Sequence, residues 1–205
     1  RHDYGEFITG STTTRQTSNS GATTLFDSTF YVLTTARNVY KCLDNNGGAT
    51  STDEPTGVST SVTTTADGYR WKYMYTLSAA QQANFLSVDF MAVSPNSSPG
   101  SDQSNVISAA VDGSIDVIKI KSAGSGGTNG THTNIPIRGD GTGGVCSVTV
   151  SGGAVTAVSV TNAGSGYTFA TVSNAQIVAA GATSLAGAEL DVIIPPKGGL
   201  SLIHI

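Results

Sequence analysis

Charged side chains are scarce in this sequence. They make up 12% of its 205 residues, about half the usual share for a globular chain. Ten basic and fourteen acidic residues leave a formal charge of −4, with a pI near 5.1. That balance excludes a nucleic-acid-binding face, which needs clustered cations. Cysteine occurs twice, as Cys42 and Cys146. A disulfide framework needs more, so both are read as buried small hydrophobes. No apolar run approaches the length of a membrane span and no signal peptide is visible, so no membrane association is expected. Histidine is limited to His2, His132 and His204, and Asp and Glu are scattered. No clustered ligand set for a metal results.

What remains is Thr, Ser, Gly, Ala and Val. Low charge alone does not imply disorder here, because the net charge is small and strand-like segments recur. A polar, uncharged, turn-rich composition fits many short strands joined by Gly-rich turns. The expected fold is mainly β: antiparallel β-sandwich layers with one short helix, plus a glycine-rich β-repeat module.

The few aromatic residues are unevenly spread. "DGYRWKYMYTL" (67–77) holds the single tryptophan and three of the seven tyrosines. Period 2 sets Tyr69, Trp71, Tyr73 and Tyr75 on one side of a strand, and Arg70, Lys72, Met74 and Thr76 on the other. Asp67-Gly68 just before them is a turn signal. A row of rings removes a large apolar area from water, so it is read as core. Val39 and Leu43 are placed in the core with it. Arg70 and Lys72 then face solvent or a neighbouring subunit.

Residues 1–30 are poor in apolar side chains and predict a loop with one short strand near Tyr4–Ile8. "FYVLTT" (30–35) and "RNVYKCLD" (37–44) read as strands joined by a tight connection. "NNGGATSTDEPTG" (45–57) is a long loop of turn formers, with Asp53 and Glu54 in a mobile stretch. "SAAQQANFLS" (78–87) predicts the one helix: Ser78 is the N-cap and Gln81 stands at capping-box spacing. It is expected to bury Ala83, Phe85 and Leu86. A strand follows over 88–94, then a linker over 95–105.

Past the linker an internal repeat appears. "DGSIDVIKIKSAGSGGTNGT" from Asp112 and "GGAVTAVSVTNAGSGYTFAT" from Gly152 align without gaps at an offset of 40 residues. Each reads as a strand with one apolar face entering an Ala-Gly-Ser-Gly turn that needs φ > 0. "GGVCSVTV" supplies a further strand, joined through "SGG" as a hairpin. The glycine-rich module is placed over 106–180. Residues 1–95 form the first part.

Several motifs are weighed and set aside. "GDGTGG" (139–144) has dinucleotide-loop spacing, but the pyrophosphate needs a helix N-terminus after the loop, and "VCSVTV" is a strand. It is read as a glycine turn, and "RGD" (138–140) as a polar turn. Asp53 with Glu54 and Asp112 with Asp116 lack the burial that would split their pKa values for acid–base work. Gly124-Ser125-Gly126 and Gly164-Ser165-Gly166 lack the strand-to-helix elbow of a nucleophile. "NSS" (96–98) and "NGT" (129–131) are glycosylation sequons, relevant only in a secretory cell. No catalytic, cofactor-binding or metal-ligating residue is assigned, and no enzyme activity is expected.

One resemblance covers residues 37–93. "NVYKCLDNNGG…EPTG…ADGYRWKYMYTLS" resembles the baseplate wedge subunits of contractile-tailed bacteriophages, the wedge protein eight family. The matching positions are Val39, Tyr40, Lys41, Cys42, Leu43, Asp44, Pro55, Gly57, Asp67, Gly68, Tyr69, Trp71 and Tyr73. "RHDY" at the start and "DVIIPPKGG" (191–199) are similar to further elements of that family, which implies that a strand near 188–196 returns to the first part. The resemblance implies a structural, non-catalytic virion protein without a cofactor. It implies homodimers in the full-length protein and contacts to other wedge subunits, with Arg70 and Lys72 as the partner-facing residues. It also implies that the chain is an internal fragment. Residues 200–205 resemble translated sequencing-adapter read-through from assembled environmental DNA and are read as a non-native tail. The alternative is a carbohydrate-binding adhesin or receptor-binding β-module of a virion or cell surface.

Overall fold

The computed structural model describes residues 3–6, 30–87, 91–93 and 99–195. The chain divides into two compact units, one ending at Ala110 and one beginning at Val111.

In the first unit, β1 (Asp3–Glu6), β2 (Phe30–Leu33), β3 (Asn38–Asp44), β4 (Thr63–Thr64) and β5 (Arg70–Thr76) form one sheet in the order β1-β2-β3-β5-β4. Neighbours are antiparallel except β1 and β2, which run parallel. On one face Tyr69, Trp71 and Tyr73 are buried with Tyr40, Cys42 and Val106. Tyr69 stacks on Trp71 at 5.4 Å, Phe30 meets Trp71 edge-on at 6.0 Å and Tyr40 meets Tyr73 edge-on at 5.8 Å. These are the offset and T-shaped arrangements that aromatic quadrupoles favour.

Tyr75 leaves the row. Val39 faces Tyr75 while the next residue, Tyr40, faces Tyr73. Met74 is therefore the extra residue of a β-bulge, and the alternation resets there. Tyr75 is buried, but with Val39, Tyr31, Leu33, Met74 and Leu77, and its hydroxyl donates to the Ala92 carbonyl at 3.1 Å. Met74, read from the alternation as outward, is core. A second bulge sets Cys42 against Trp71 and Asp44 against Arg70, leaving Leu43 between them, buried.

Helix α1 (Ala79–Phe85) begins with a capping box: Gln81 N–H donates to Ser78 Oγ at 3.1 Å, and Ser78 N–H to Gln81 Oε1 at 2.8 Å. It buries none of its own residues. Ala83 and Phe85 are exposed, and only Leu86, just past its end, packs partly against the core. The segment read as a linker ends in a second helix, α2 (Ser101–Ala109), which buries Gln103 and Val106. The strand expected over 88–94 lies partly outside the described residues, and 91–93 are not strand.

The second unit holds β6 (Val117–Ser125), β7 (Gly130–Pro136), β8 (Arg138–Gly139), β9 (Val145–Ser151), β10 (Ala154–Asn162), β11 (Ala170–Thr171), α3 (Asn174–Ala179) and β12 (Ala186–Ile193). Its sheets are β10-β9-β7, β11-β8 and β12-β6. The strand expected to return to the first part does not do so. β12 pairs with β6, setting Leu190 on Ile120 and Val192 on Ile118, and these apolar side chains pack on the core of the second unit. Helix α3 opens on a second capping box, Ser173 with Gln176. With α2 and α3, the described residues hold three helices where one was expected.

The repeat has a geometric counterpart. In one ribbon Leu190, Asp191, Val192 and Ile193 pair with Ile120, Lys119, Ile118 and Val117. In the other, Cys146, Ser147, Val148 and Thr149 pair with Val160, Ser159, Val158 and Ala157. The β6 and β10 partners are the residues that the 40-residue offset aligns. Both Ala-Gly-Ser-Gly turns take the same backbone, with φ of 66° and 77° at Gly124 and Gly126, and 61° and 74° at Gly164 and Gly166. A Cβ on Gly124 would lie 2.7 Å from the Ala186 carbonyl oxygen, and one on Gly164 2.5 Å from that of Thr142. Glycine there permits positive φ and close backbone approach together. The ribbons differ at their outer edges. β7 adds to β9 as a strand, whereas β11 and α3 lie beside β12. There the Asn174 carboxamide donates to Leu185 O at 2.8 Å and accepts from Ala188 N at 3.1 Å.

Candidate interaction surface

The face of β5 that carries the basic residues is not an open row of cations. Arg70 and Lys72 are both half-buried. Arg70 Nε lies 3.7 Å from Asp44 Oδ2 across the strand pair. Lys72 stands in register with Lys41, and Lys41 with Tyr31. The Lys41 ammonium sits 5.9 Å from the Tyr31 ring centroid, and burial pushes its pKa down to about 8. In the sequence Lys41 stands only as one matching position of the resemblance. Its signal as part of this surface is cross-strand register, which a single strand does not carry.

On the other face the segment between β3 and β5 is fastened down. The Asp67 carboxylate accepts from Ser51 Oγ at 2.6 Å, Thr52 N at 2.8 Å, Asp53 N at 3.1 Å, Thr65 Oγ1 at 2.5 Å and Tyr69 N at 3.2 Å. Asp53 answers by accepting from Asp67 N at 3.1 Å. Burial works against ionisation of Asp67, but the hydrogen bonds from Ser51, Thr65, Asp53 and Thr52 outweigh it and hold the carboxyl well below the usual carboxylate range. Glu54 accepts from Thr35 N at 2.6 Å and Thr35 Oγ1 at 3.0 Å. The stretch read as mobile is thus pinned by the two acids read from it. From the sheet side Tyr40 donates to the Gly57 carbonyl, Tyr69 to that of Ala49, and Trp71 Nε1 to Thr65 Oγ1 at 3.3 Å.

The motifs of the second unit serve its packing. Tyr167 is buried, donates to Ile137 O and accepts from Gly144 N, both at 3.1 Å. A Cβ on Gly141 would lie 2.4 Å from Tyr167 Cγ, and one on Gly144 2.8 Å from its hydroxyl. "GDGTGG" is therefore a cradle for this ring. The Asp140 carboxylate of "RGD" accepts from Thr168 N at 2.9 Å, Thr168 Oγ1 at 2.5 Å and Phe169 N at 3.2 Å. The Thr168 hydroxyl and the Thr168 and Phe169 amides bring its pKa down to about 2. Because the folded value lies below the ordinary 3.8, this latch is present above that pH and is lost as the pH falls through about 2. Replacing Asp140 by alanine should speed hydrogen exchange at the Thr168 and Phe169 amides. The Tyr167 amide, which donates to Gly113 O, should stay protected. Unchanged exchange at 168 and 169 would mean that the carboxylate does not hold β8 to β11.

His132 is buried, with Nε2 3.0 Å from the Thr128 carbonyl oxygen and Nδ1 turned to Gly181. Asn129 of the second sequon accepts from Gly153 N at 2.9 Å; the first sequon lies outside the described residues. Cys42 and Cys146 are buried and not joined in a disulfide, and burial pushes Cys146 up to about 11. Among the described residues no group of His, Cys, Asp and Glu is placed to hold a metal ion, and no helix is long and apolar enough to cross a membrane. Comparison with protein-family models, curated proteins and solved structures found no match.

Proposed function

We propose that the chain is a structural, non-catalytic part of a contractile phage tail baseplate wedge. It acts through protein–protein contacts in virion assembly and in triggering contraction. In this reading it belongs to the virion, passes through the host cytoplasm during assembly, uses no cofactor, pairs as a homodimer in the full-length protein and touches other wedge subunits. One observation carries the reading: the residues of the resemblance are those that stiffen the first unit. Tyr40, Cys42, Tyr69, Trp71 and Tyr73 share one buried cluster, and Asp67 fastens the loop beside it. Side chains spent on rigidity suit a part that transmits force, and leave Arg70 and Lys72 as the partner-facing pair.

The test uses Lys72→Glu and Arg70→Gln. Lys72→Glu sets an acid opposite Lys41, an opposite-charge pair in place of a like-charge one across the strands, and thermal melts run beside co-assembly separate folding from binding. Arg70→Gln gives up a half-exposed ion pair worth about 0–1 kcal/mol. Both should weaken co-assembly with wedge subunits. Intact co-assembly in both would remove this surface from the interface.

The adhesin reading is favoured by Phe169, which is 60% exposed beside the Asp140 latch. Titration of host glycans against the protein separates the two. Specific binding that is lost in Phe169→Ala supports the adhesin, and its absence supports the wedge part.

A further inference from the structure

The segment fastened beside the aromatic layer has an unusual balance of forces. Between Asn46 and Ala66 only Pro55 is buried. Its attachment to the sheet is almost entirely polar: Asp67 and Glu54 as acceptors, Tyr40, Tyr69 and Trp71 as donors. Strand β4 within it is two residues long and pairs only with Arg70 and Trp71. Hydrogen bonds of this kind exchange for bonds to water when a segment lifts, so each adds little net stability, whereas apolar burial does not exchange. Segments with few buried apolar contacts open well below the global unfolding free energy.

The ends of the segment are built to turn. Gly47 and Gly48 have φ of 68° and 86°, and a Cβ on either would meet nothing within 4 Å. At the far end Gly68 has φ of 83°, and a Cβ there would lie 2.9 Å from Asn46 Nδ2. That same Asn46 nitrogen donates to Asp67 O at 3.0 Å. The two ends thus meet at one place, next to the carboxylate on which the bonds converge.

We propose that residues 46–66 form a hinged strap, latched by Asp67, that opens as one unit beside the aromatic layer while the sheet stays folded. Opening withdraws the acceptors of three side chains of the layer: Gly57 O from Tyr40, Ala49 O from Tyr69 and Thr65 Oγ1 from Trp71. It also bares the edge of β5 at Arg70 and Trp71, which β4 covers. The inference stands on the first unit alone and does not rest on the wedge reading.

Native-state hydrogen exchange on the full chain tests it. Thr35 is the informative amide. It lies in the β2–β3 turn, makes no contact with Asp67, and donates to Glu54 on the strap. If the strap is one unit, Thr35, Thr52, Asp53 and Thr65 share one protection factor, below that of the β3–β5 ladder. Asp67→Ala should then speed all four by about 10- to 100-fold, the loss expected for charge-assisted hydrogen bonds, and leave the ladder unchanged. Acceleration at Thr52 and Asp53 with Thr35 unmoved would overturn the proposal in favour of local fraying. So would strap amides in the parent that exchange only with the ladder. Should Asp67→Ala fail to fold, Asp67→Asn keeps one acceptor oxygen, and the parent's protection factors decide by themselves.

Discussion

Replacing Trp71 by alanine is expected to cost about 3–5 kcal/mol, the range for removing a large buried ring. The side chain is 1% exposed, stacks on Tyr69, takes the edge of Phe30 and lies in the cluster that Val106 of α2 joins. Its removal opens a cavity between Tyr69 and Phe30 in an otherwise filled cluster. Chemical denaturation gives the number. A variant that unfolds like the parent while losing partner or glycan binding would make the rings a recognition surface and put the adhesin reading first.

The second large effect belongs to Gly141. Alanine there is expected to destabilise the second unit by about 3 kcal/mol, at the upper end of overpacking. The added carbon would lie 2.4 Å from Tyr167 Cγ and 2.6 Å from the Ser165 carbonyl oxygen. The ring cannot yield, because its hydroxyl is tied to Ile137 and Gly144, and Ser165 is bonded to Thr142 in both directions. Gly152→Ala is the control: it has φ of 61° with nothing within 4 Å, so only the left-handed backbone penalty of about 1–2 kcal/mol applies. Gly141 itself has no positive φ, so a loss no larger than that of Gly152→Ala would mean that the ring and the carbonyl give way, and that the Tyr167 cradle does not require glycine.

What the sequence disclosed, and what it hid, follows from the range of the forces involved. The alternation over 69–73, the Ser78–Gln81 cap and the Gly152-Gly153 hairpin are local, set within a few residues. The reading failed where the deciding partner was distant. Tyr75 changes face because of a bulge that only pairing with Val39 and Tyr40 reveals. Helix α2 offers a polar surface and little more than Val106 and Ile107 on its apolar side, so its composition read as linker. "VIIPP" resembled a strand of the first part, but the choice between units lay in its pairing with β6. The surface at Arg70 and Lys72 was half legible. Strand period assigned their face, while Asp44 and Lys41 entered through register. The Asp53–Asp67 clasp spans a loop whose turn formers, read singly, suggested mobility.

The two ribbons of the second unit carry a consequence for how the chain finds its native pairing. Strands β6 and β10 present apolar side chains at the same positions, Ile118 and Ile120 against Val158 and Val160, in the same register, so each is geometrically fit for the other's partner during folding. Hydrophobic pattern alone does not tell β12 from β9. The polar faces do. Lys119 meets Asp191 in register and Lys121 lies 3.5 Å from Glu189, whereas Ser159 meets Ser147 and Thr161 donates to Val145 O. A crossed pairing would set Lys119 on Ser147 and Lys121 beside Val145 in one ribbon, and Asp191 and Glu189 beside Ser159 and Thr161 in the other, with no opposite charge across either strand pair. Four of the scarce charges of this chain, Lys119, Lys121, Glu189 and Asp191, thus stand where two otherwise similar halves must be kept apart, acting as a label that sorts strands more than as a bond that strengthens them.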